Sequence, residues 1–243
     1  MLNFNIEGLA GYLPDADFFE SVKPQDDLNY SLSCKASDYV SENITKNQSR
    51  RMSELTRVSV DLALKVSGGK NIDHIVFSSR HGELSNSTEL LSMMAEGEIL
   101  SPTLFSQSVH NTAVGVYSVL AKNRAATTAV AAGANSFHMG LISSYAFLQK
   151  HPQANVLYIC ADQLIPDAFS ASVKEENRVY ALAVVLNLRS QGCSMQLSQE
   201  NFKSVAEPIK ALQAVSFLKW FFSPQAQSTK IEAEGFVWNW KRC

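Results

Sequence analysis

The sequence predicts an α/β fold in which a mixed or mostly parallel β-sheet carries helices on both faces. Two observations lead to this class. Short apolar runs of strand length alternate along the chain with segments whose apolar residues recur every three or four positions, and such alternation is typical of parallel or mixed sheets. The chain has 243 residues, of which 46% are hydrophobic and 18% charged, so it can fill the core of one domain.

The first half of the chain alternates irregular segments with regular ones. Between residues 49 and 66 the apolar residues have helical spacing, and Gly68 follows the end of this helix, as glycine commonly does. The apolar run at 74–79 is bounded by polar residues and predicts a buried strand. The other predictions here are a strand at 2–13, a polar irregular segment at 14–48, and helices at 86–97 and 111–120.

The second half of the chain predicts more strands than helices. Residues 125–132 form a strand of small residues that leads into Gly133. Continuous apolar runs predict buried strands at 156–160 and 180–186. Pro208 starts a further helix, since proline suits the first helical turn. The remaining predictions are a helix from Gly133 to Lys150, the end of the later helix near Phe222, and a strand-like tail at 231–240.

Charge and hydropathy exclude several functional classes. The formal net charge is -2 and no basic stripe carries interleaved aromatic residues, so nucleic acid is not an expected partner. The first residues lack a basic segment followed by an apolar one, and polar residues interrupt the longest apolar stretches. Neither a secretory signal nor a membrane span is therefore predicted, and we expect a cytoplasmic protein.

The cysteines are Cys34, Cys160, Cys193 and Cys243. They form no C-x-x-C pair and are widely spaced, which indicates neither a zinc site nor a disulfide framework. Reduced thiols are expected in the cytoplasm. The sequence predicts no metal and no cofactor.

The segment 128–137 has the pattern of a small-residue strand, a sharp turn at Gly133 and a helix. Several acyl-transfer enzymes hold a nucleophile in this way, with backbone N–H groups and the helix N-terminus aimed at developing negative charge. Glycine has no side chain that could act as the nucleophile. The pattern therefore favours a partner subunit over a self-sufficient enzyme.

Five further features follow one another along the chain: RRMS at 50–53, SSRHGEL at 78–84, SPTLFSQSVHN at 101–111, AGANSF at 132–137, and the strand pair 156–162 and 180–186. Their order resembles the N-terminal half of the β-ketoacyl synthases, which have the thiolase fold. The residues in these motifs are similar to those of short synthase-like proteins from aryl polyene and related type II fatty acid or polyketide systems. Those proteins look like chain-length-factor subunits. The resemblance implies a thiolase-like half-fold, with 1–243 as one β-ketoacyl-synthase-like N-terminal domain that includes a short extension from about residue 190.

Two departures from the family bear on activity. Gly133 falls where an active synthase has its acylated cysteine, and a decarboxylating variant would need an amide side chain there. The C-terminal half, which brings the two catalytic histidines in the family, has no counterpart in the sequence. The resemblance therefore implies that this chain does not catalyse condensation alone.

The resemblance also assigns positions to a substrate tunnel at a dimer interface. It places His81 beside the acyl tunnel, and Leu104 and Phe105 in its wall. The alternatives are a histidine hydrogen-bonded within a loop and an ordinary apolar core pair. Further along the chain, Asn111 is predicted to cap a helix. The alternative role for this part of the chain is contact between His110 and the acyl chain. The complete set is His81, Leu104, Phe105, His110, Asn111 and Ala134.

In this family, dimers form through the strand before the elbow, because an edge strand exposes backbone groups that a partner strand can satisfy. The positions concerned are Ala125, Ala126, Thr127, Thr128, Ala129, Val130 and Ala131. The implied function is a non-catalytic, chain-length-factor-like subunit of a ketosynthase heterodimer, which meets the acyl carrier protein only through that partner.

Two alternatives stay open. One is a stand-alone acyltransferase or thioesterase that uses Ser136 or Cys160 with His110 or His138. The other is a purely structural adaptor, which stabilises the ketosynthase without influencing its product.

Overall fold

A computed structural model of the protein describes residues 1–14, 29–34, 39–173, 176–189, 192–201, 211–223, 225–233 and 236–243. The strands are β1 Leu2–Tyr12, β2 Tyr30–Ser33, β3 His74–Ser78, β4 Ala126–Val130, β5 Val156–Asp162, β6 Tyr180–Asn187, β7 Cys193–Asn201, β8 Ser228–Ala233 and β9 Phe236–Arg242. The helices are α1 Lys46–Ser49, α2 Glu54–Ser67, α3 Leu84–Ala95, α4 Pro102–Ser106, α5 Thr112–Leu120, α6 Ser136–Lys150 and α7 Gln213–Phe221.

All nine of these strands belong to one mixed sheet, which confirms the predicted fold class. The order is β4-β3-β5-β6-β1-β7-β9-β8, with β2 beside β1. Strand β3 runs parallel to β4 and β5, and β2 runs parallel to β1. The other neighbours are antiparallel. Strand β4 therefore forms one edge of the described sheet.

Helices cover both faces of the central strands, which explains why these strands have continuous apolar sequences. Side chains alternate between the two faces of a strand, and β5 shows the division. Tyr158 packs in the same core as α6 and α7, whereas Ile159 packs in the core that contains α2 and α5. Both side chains are fully buried.

The prediction of a single helix at 49–66 is wrong at its start. The helix α2 begins only after Ser53, whose side chain accepts a hydrogen bond from the Thr56 N–H, the usual arrangement of an N-terminal cap. The short α1 precedes it. The tail predicted at 231–240 consists of the antiparallel strands β8 and β9.

Other elements were not predicted. They are β2 and α1 within the segment expected to be irregular, the short helix α4, and β7. The predicted helix start at Pro208 and residues 15–28 and 35–38 of the polar segment lie outside the described residues. None of the helices in the described ranges has the length and apolar character needed to cross a membrane.

Candidate functional site

The elbow between β4 and α6 is a short 3-10 turn, Gly133–Asn135. Gly133 has φ +54°, a left-handed conformation that glycine adopts without the penalty of a side chain. A Cβ atom at this position would meet no heavy atom within 4 Å. The backbone angle therefore favours glycine here, while the space in front of Gly133 is open.

Ser136 holds this turn in place. Its hydroxyl donates to the Gly133 carbonyl at 2.8 Å and accepts from the Ala132 N–H at 3.0 Å. The side chain is buried. Because these hydrogen bonds are made to backbone groups, the hydroxyl braces the turn.

Asp162 organises the loop that follows β3. Its buried carboxylate accepts from the Ser79 hydroxyl at 2.7 Å, the Arg80 N–H at 2.9 Å and Arg80 Nε at 3.1 Å. The Tyr180 hydroxyl also donates to it. The side chains of Arg80 and Asp162 are 4% and 1% exposed, so this ion pair is desolvated and depends on its additional hydrogen bonds.

The two half-buried histidines of the site lie beside this loop. The His81 backbone N–H donates to Asp162 at 3.3 Å. The His110 Nε2 atom lies 3.1 Å from the Ser79 carbonyl oxygen; a carbonyl can only accept, so Nε2 carries a proton and donates. Gly82 has φ +55°, and a Cβ atom there would lie 2.9 Å from His110 Cδ2. His110 thus packs against a glycine and braces the loop.

Asn111 occupies the position before α5, but its side chain makes no capping hydrogen bond. The prediction that Asn111 caps the helix is therefore wrong. The Thr112 hydroxyl instead donates to the Val109 carbonyl at 2.7 Å, which turns the chain at this point.

Leu104 and Phe105 lie on α4, none of whose side chains is buried. Leu104 is half-buried, and Phe105 is 64% exposed. The alternative of an ordinary core pair is therefore wrong for Phe105. Ala134 lies in the elbow turn and is half-buried.

The predicted partner strand coincides with β4 and borders the elbow. Within the described residues, β4 pairs with β3 and with no other strand. Three of its five side chains are exposed, those of Ala126, Thr127 and Ala129. Thr128 is half-buried, and its hydroxyl lies 3.0 Å from His74 Nε2.

Two of the side chains named in the acyltransferase alternative, Cys160 and His138, are fully buried. Burial raises the pKa of the Cys160 thiol to about 12, so the thiol stays protonated. Burial lowers the pKa of His138 to about 3. The His138 Nδ1 atom lies 2.6 Å from Gln213 Oε1, and its Nε2 accepts from Trp240 Nε1 at 3.0 Å. Both ring nitrogens of His138 are thus engaged inside the protein.

Sequence reasoning missed Asp162, Gln213 and Trp240 as parts of this site. Asp162 had a signal, because it is a carboxylate at the end of an apolar strand and therefore lies where the strand meets the following loop. Gln213 and Trp240 had none, since the contact between Trp240 and His138 joins positions 102 residues apart. In the described ranges, no three His, Cys, Asp or Glu side chains converge as a metal site.

The sequence profile of the family described as "Beta-ketoacyl synthase, N-terminal domain" matches residues 29–241. The chain belongs to this family. No curated protein matched the sequence of this β-ketoacyl synthase family member.

Solved structures provide the comparison in three dimensions. A chain in the structure of a ketosynthase in complex with its chain length factor from Xenorhabdus doucetiae matches with a TM-score of 0.80 and 25% identity over 100% of both chains. The ishigamide ketosynthase/chain length factor matches with a TM-score of 0.59 and 16% identity, over 83% of this chain and 68% of the other. A β-ketoacyl synthase from Burkholderia phymatum STM815 gives 0.60 and 12%, over 92% and 70%. The last two similarities show the shared fold.

Proposed function

We propose that this chain is a non-catalytic, chain-length-factor-like subunit that pairs with a ketosynthase in a type II fatty acid or polyketide system of the aryl polyene kind. The observation that carries the proposal is the elbow, which has an open space in front of Gly133 and no side chain to hold an acyl group. The similar chain from Xenorhabdus doucetiae, matched over its whole length, forms part of a ketosynthase–chain length factor complex.

The exposed edge of β4 supports pairing with a partner strand. The Val130 carbonyl accepts from the Ser79 N–H at 3.2 Å, so the backbone polar groups of Val130 face β3. The direction of these groups alternates along a strand, and those of Thr127 and Ala129 therefore face away from β3. A strand of a ketosynthase subunit can pair with this edge.

A second uncovered surface lies beside that edge, on the segment 84–109. Leu90 is the one buried side chain among these residues, all of which the structure describes. His110, the residue after the segment, donates to the Ser79 carbonyl, and the Ser79 N–H donates to the Val130 carbonyl at the end of β4. Exposed apolar side chains on the segment are Leu91, Met94, Ile99, Leu100, Phe105 and Val109. Large apolar surfaces of this kind are typical of interaction sites.

The charges on this segment favour a different protein over a second copy. Its charged residues are Glu89, Glu96 and Glu98, and it carries no lysine or arginine. Two such surfaces would bring like charges together, and an acidic carrier protein would also be repelled. A ketosynthase subunit with basic residues around an apolar patch fits this surface. Leu104 and Phe105 would then contribute to the wall of its acyl tunnel.

The pairing is tested with Thr127→Pro, which removes a backbone donor from the outer edge of β4. We expect this variant to keep its fold and to lose the complex with a cognate ketosynthase, measured by light scattering after size-exclusion chromatography. Thr127→Val is the matched control, because it keeps the N–H group, and it should bind normally. Normal binding of Thr127→Pro would contradict pairing through this edge.

The roles in catalysis and chain length need separate assays. The purified chain is expected to leave an acyl thioester unextended, whereas the complex with the ketosynthase extends it. Leu104→Trp should shorten the products of the complex, because it narrows the tunnel. Leu164→Trp is the control, since Leu164 is exposed outside this surface. Extension by the chain alone refutes the non-catalytic role, and unchanged products with Leu104→Trp favour the adaptor alternative.

A further inference from the structure

A row of four hydrogen-bonded side chains runs from strand β9 to the elbow. Trp240 Nε1 donates to His138 Nε2 at 3.0 Å, and His138 Nδ1 lies 2.6 Å from Gln213 Oε1. Gln213 Nε2 then donates to Asn135 Oδ1 at 2.9 Å. Trp240, His138 and Gln213 are 1%, 0% and 5% exposed, so the row lies inside the protein until it reaches the turn.

The donor at one end fixes the orientation of every other member. The indole N–H can only donate, so His138 Nε2 must accept and the ring proton must be on Nδ1. That proton is donated to the amide oxygen of Gln213, which leaves the Gln213 amide nitrogen facing Asn135. Reversing any one member would place two donors or two acceptors against each other, at a cost inside a buried network.

Packing holds the same row in position. The ring of Trp238 stacks on His138, with 4.5 Å between centroids and an angle of 6°. Phe217 packs against Trp240 with 4.6 Å between centroids. Gln213 begins α7, while Trp238 and Trp240 belong to β9. Gln213, which contacts the turn residue Asn135, and the rings of Phe217 and Trp238 therefore come from the part of the chain after residue 211.

We infer that this row, named here the C-terminal relay (Trp240, His138, Gln213 and Asn135), positions the elbow turn, so that the chain itself sets the shape of the surface at Gly133–Asn135 before a partner binds. Gln213 is the decisive positioning residue, because it joins the buried histidine to the turn. The effect of this surface on acyl products rests on the proposed function, whereas the positioning itself does not.

The positioning is tested on the isolated full-length chain by NMR. Gln213→Met keeps the length of the side chain and removes both hydrogen bonds. We expect the backbone amide signals of Gly133, Ala134 and Asn135 to shift. The Trp240 indole N–H signal should move too, because the His138 Nδ1–H loses its acceptor. Trp220→Phe is the matched control, because it removes another buried indole donor, which bonds to the Ala226 carbonyl at 3.1 Å.

Two results separate a positioning role from general stabilisation. Elbow signals that shift in Gln213→Met beyond those in Trp220→Phe support the relay, and equal or absent shifts overturn it. If Gln213→Met does not fold, Asn135→Ala removes only the last acceptor. Its Trp240 and His138 signals should then stay as in the wild type while the turn signals shift, and unshifted turn signals overturn the inference.

The link to the proposed function is tested with the same variants in complex with the ketosynthase. A changed distribution of product lengths with Gln213→Met, and an unchanged one with Trp220→Phe, supports the relay as a determinant of the tunnel surface. The elbow signals could shift while products and partner binding stay unchanged. That result would support the positioning of the turn by the relay and refute a role of the elbow in the tunnel.

Discussion

His138 makes the stability of the fold depend on pH, and the size of the effect follows from its environment. Burial lowers the pKa of this histidine from 6.5 to about 3 in the folded protein, because a charged imidazolium would lose its hydration there. The unfolded chain binds a proton at His138 below about pH 6.5, whereas the folded chain does so only near pH 3. The free energy of unfolding therefore has its full value above pH 6.5, and it falls as the pH decreases towards 3.

The magnitude can be worked out from these two pKa values. Between them, each pH unit changes the free energy of unfolding by about 1.4 kcal/mol. Acidification from about pH 7.5 to 4.5 should thus remove about 3 kcal/mol through His138 alone. This is a large part of the roughly 5–15 kcal/mol by which domains are usually stable.

The perturbation that isolates this effect is His138→Gln. A glutamine amide can accept from the indole and donate to Gln213, yet it does not titrate. Other groups also contribute to the pH dependence of the wild type. Burial and the neighbouring His151 lower the pKa of His74, which acts in the same direction, whereas burial raises the pKa of Glu83, which acts in the opposite one. Both remain in the variant, so the difference between the two proteins reports on His138.

The assay is urea unfolding followed by tryptophan fluorescence between pH 4.5 and 7.5. The stability of the wild type relative to His138→Gln should fall by about 3 kcal/mol over this range. Plots of the free energy of unfolding against pH should run parallel for Trp220→Phe and the wild type, because this control keeps the histidine. A difference between wild type and His138→Gln that does not change with pH would refute a buried, neutral His138.

Two further predictions concern the frame of the site, and both are measured by urea unfolding at pH 7.5. Gly133→Ala should cost about 1 kcal/mol through its left-handed backbone alone. Gly140→Ala should cost about 3 kcal/mol or more, because its Cβ atom would lie 2.5 Å from the Tyr158 ring. Equal losses of stability in the two glycine variants would contradict this difference. Asp162→Asn should cost about 3–5 kcal/mol, since it removes the charge of a buried ion pair whose carboxylate also accepts from Ser79. A loss under about 1 kcal/mol contradicts that role.

The sequence predicted the centre of the sheet well because burial there is complete. Strand β5 is buried at every position, so its apolar run could be recognised without knowledge of its neighbours. The strand β7 was missed because Met195 and Leu197 are its only buried side chains among nine residues. The four-residue β2 is held by its parallel pairing with β1, and such distant pairing leaves little local pattern.

The start of α2 could have been recognised from its chemistry. Ser53 is followed by Glu54 in the first helical turn, a combination typical of a helix N-terminus. The apolar spacing that begins at Met52 concealed this boundary. Periodicity thus found the helix, whereas capping chemistry determined where it begins.

The candidate site divides in the same way between local and distant causes. The turn at Gly133 and the strand before it could be predicted, because small residues and glycine determine backbone shape locally. The C-terminal relay could not, since Gln213 and His138 are 75 residues apart. Their contact depends on how α7 and β9 pack against α6.

These distant contacts bear on why the elbow persists without a nucleophile. Gly133 alone would leave a turn with many accessible conformations, because glycine loses more backbone freedom on folding than any other residue. Ser136 fixes the turn from the helix, and Gln213 fixes it from the C-terminal segment. Such restraint has little purpose for a surface loop without a role, yet it suits a wall whose position must be constant against a partner. On the proposed function, the elbow therefore contributes a surface of fixed position, and the ketosynthase partner would supply the reaction.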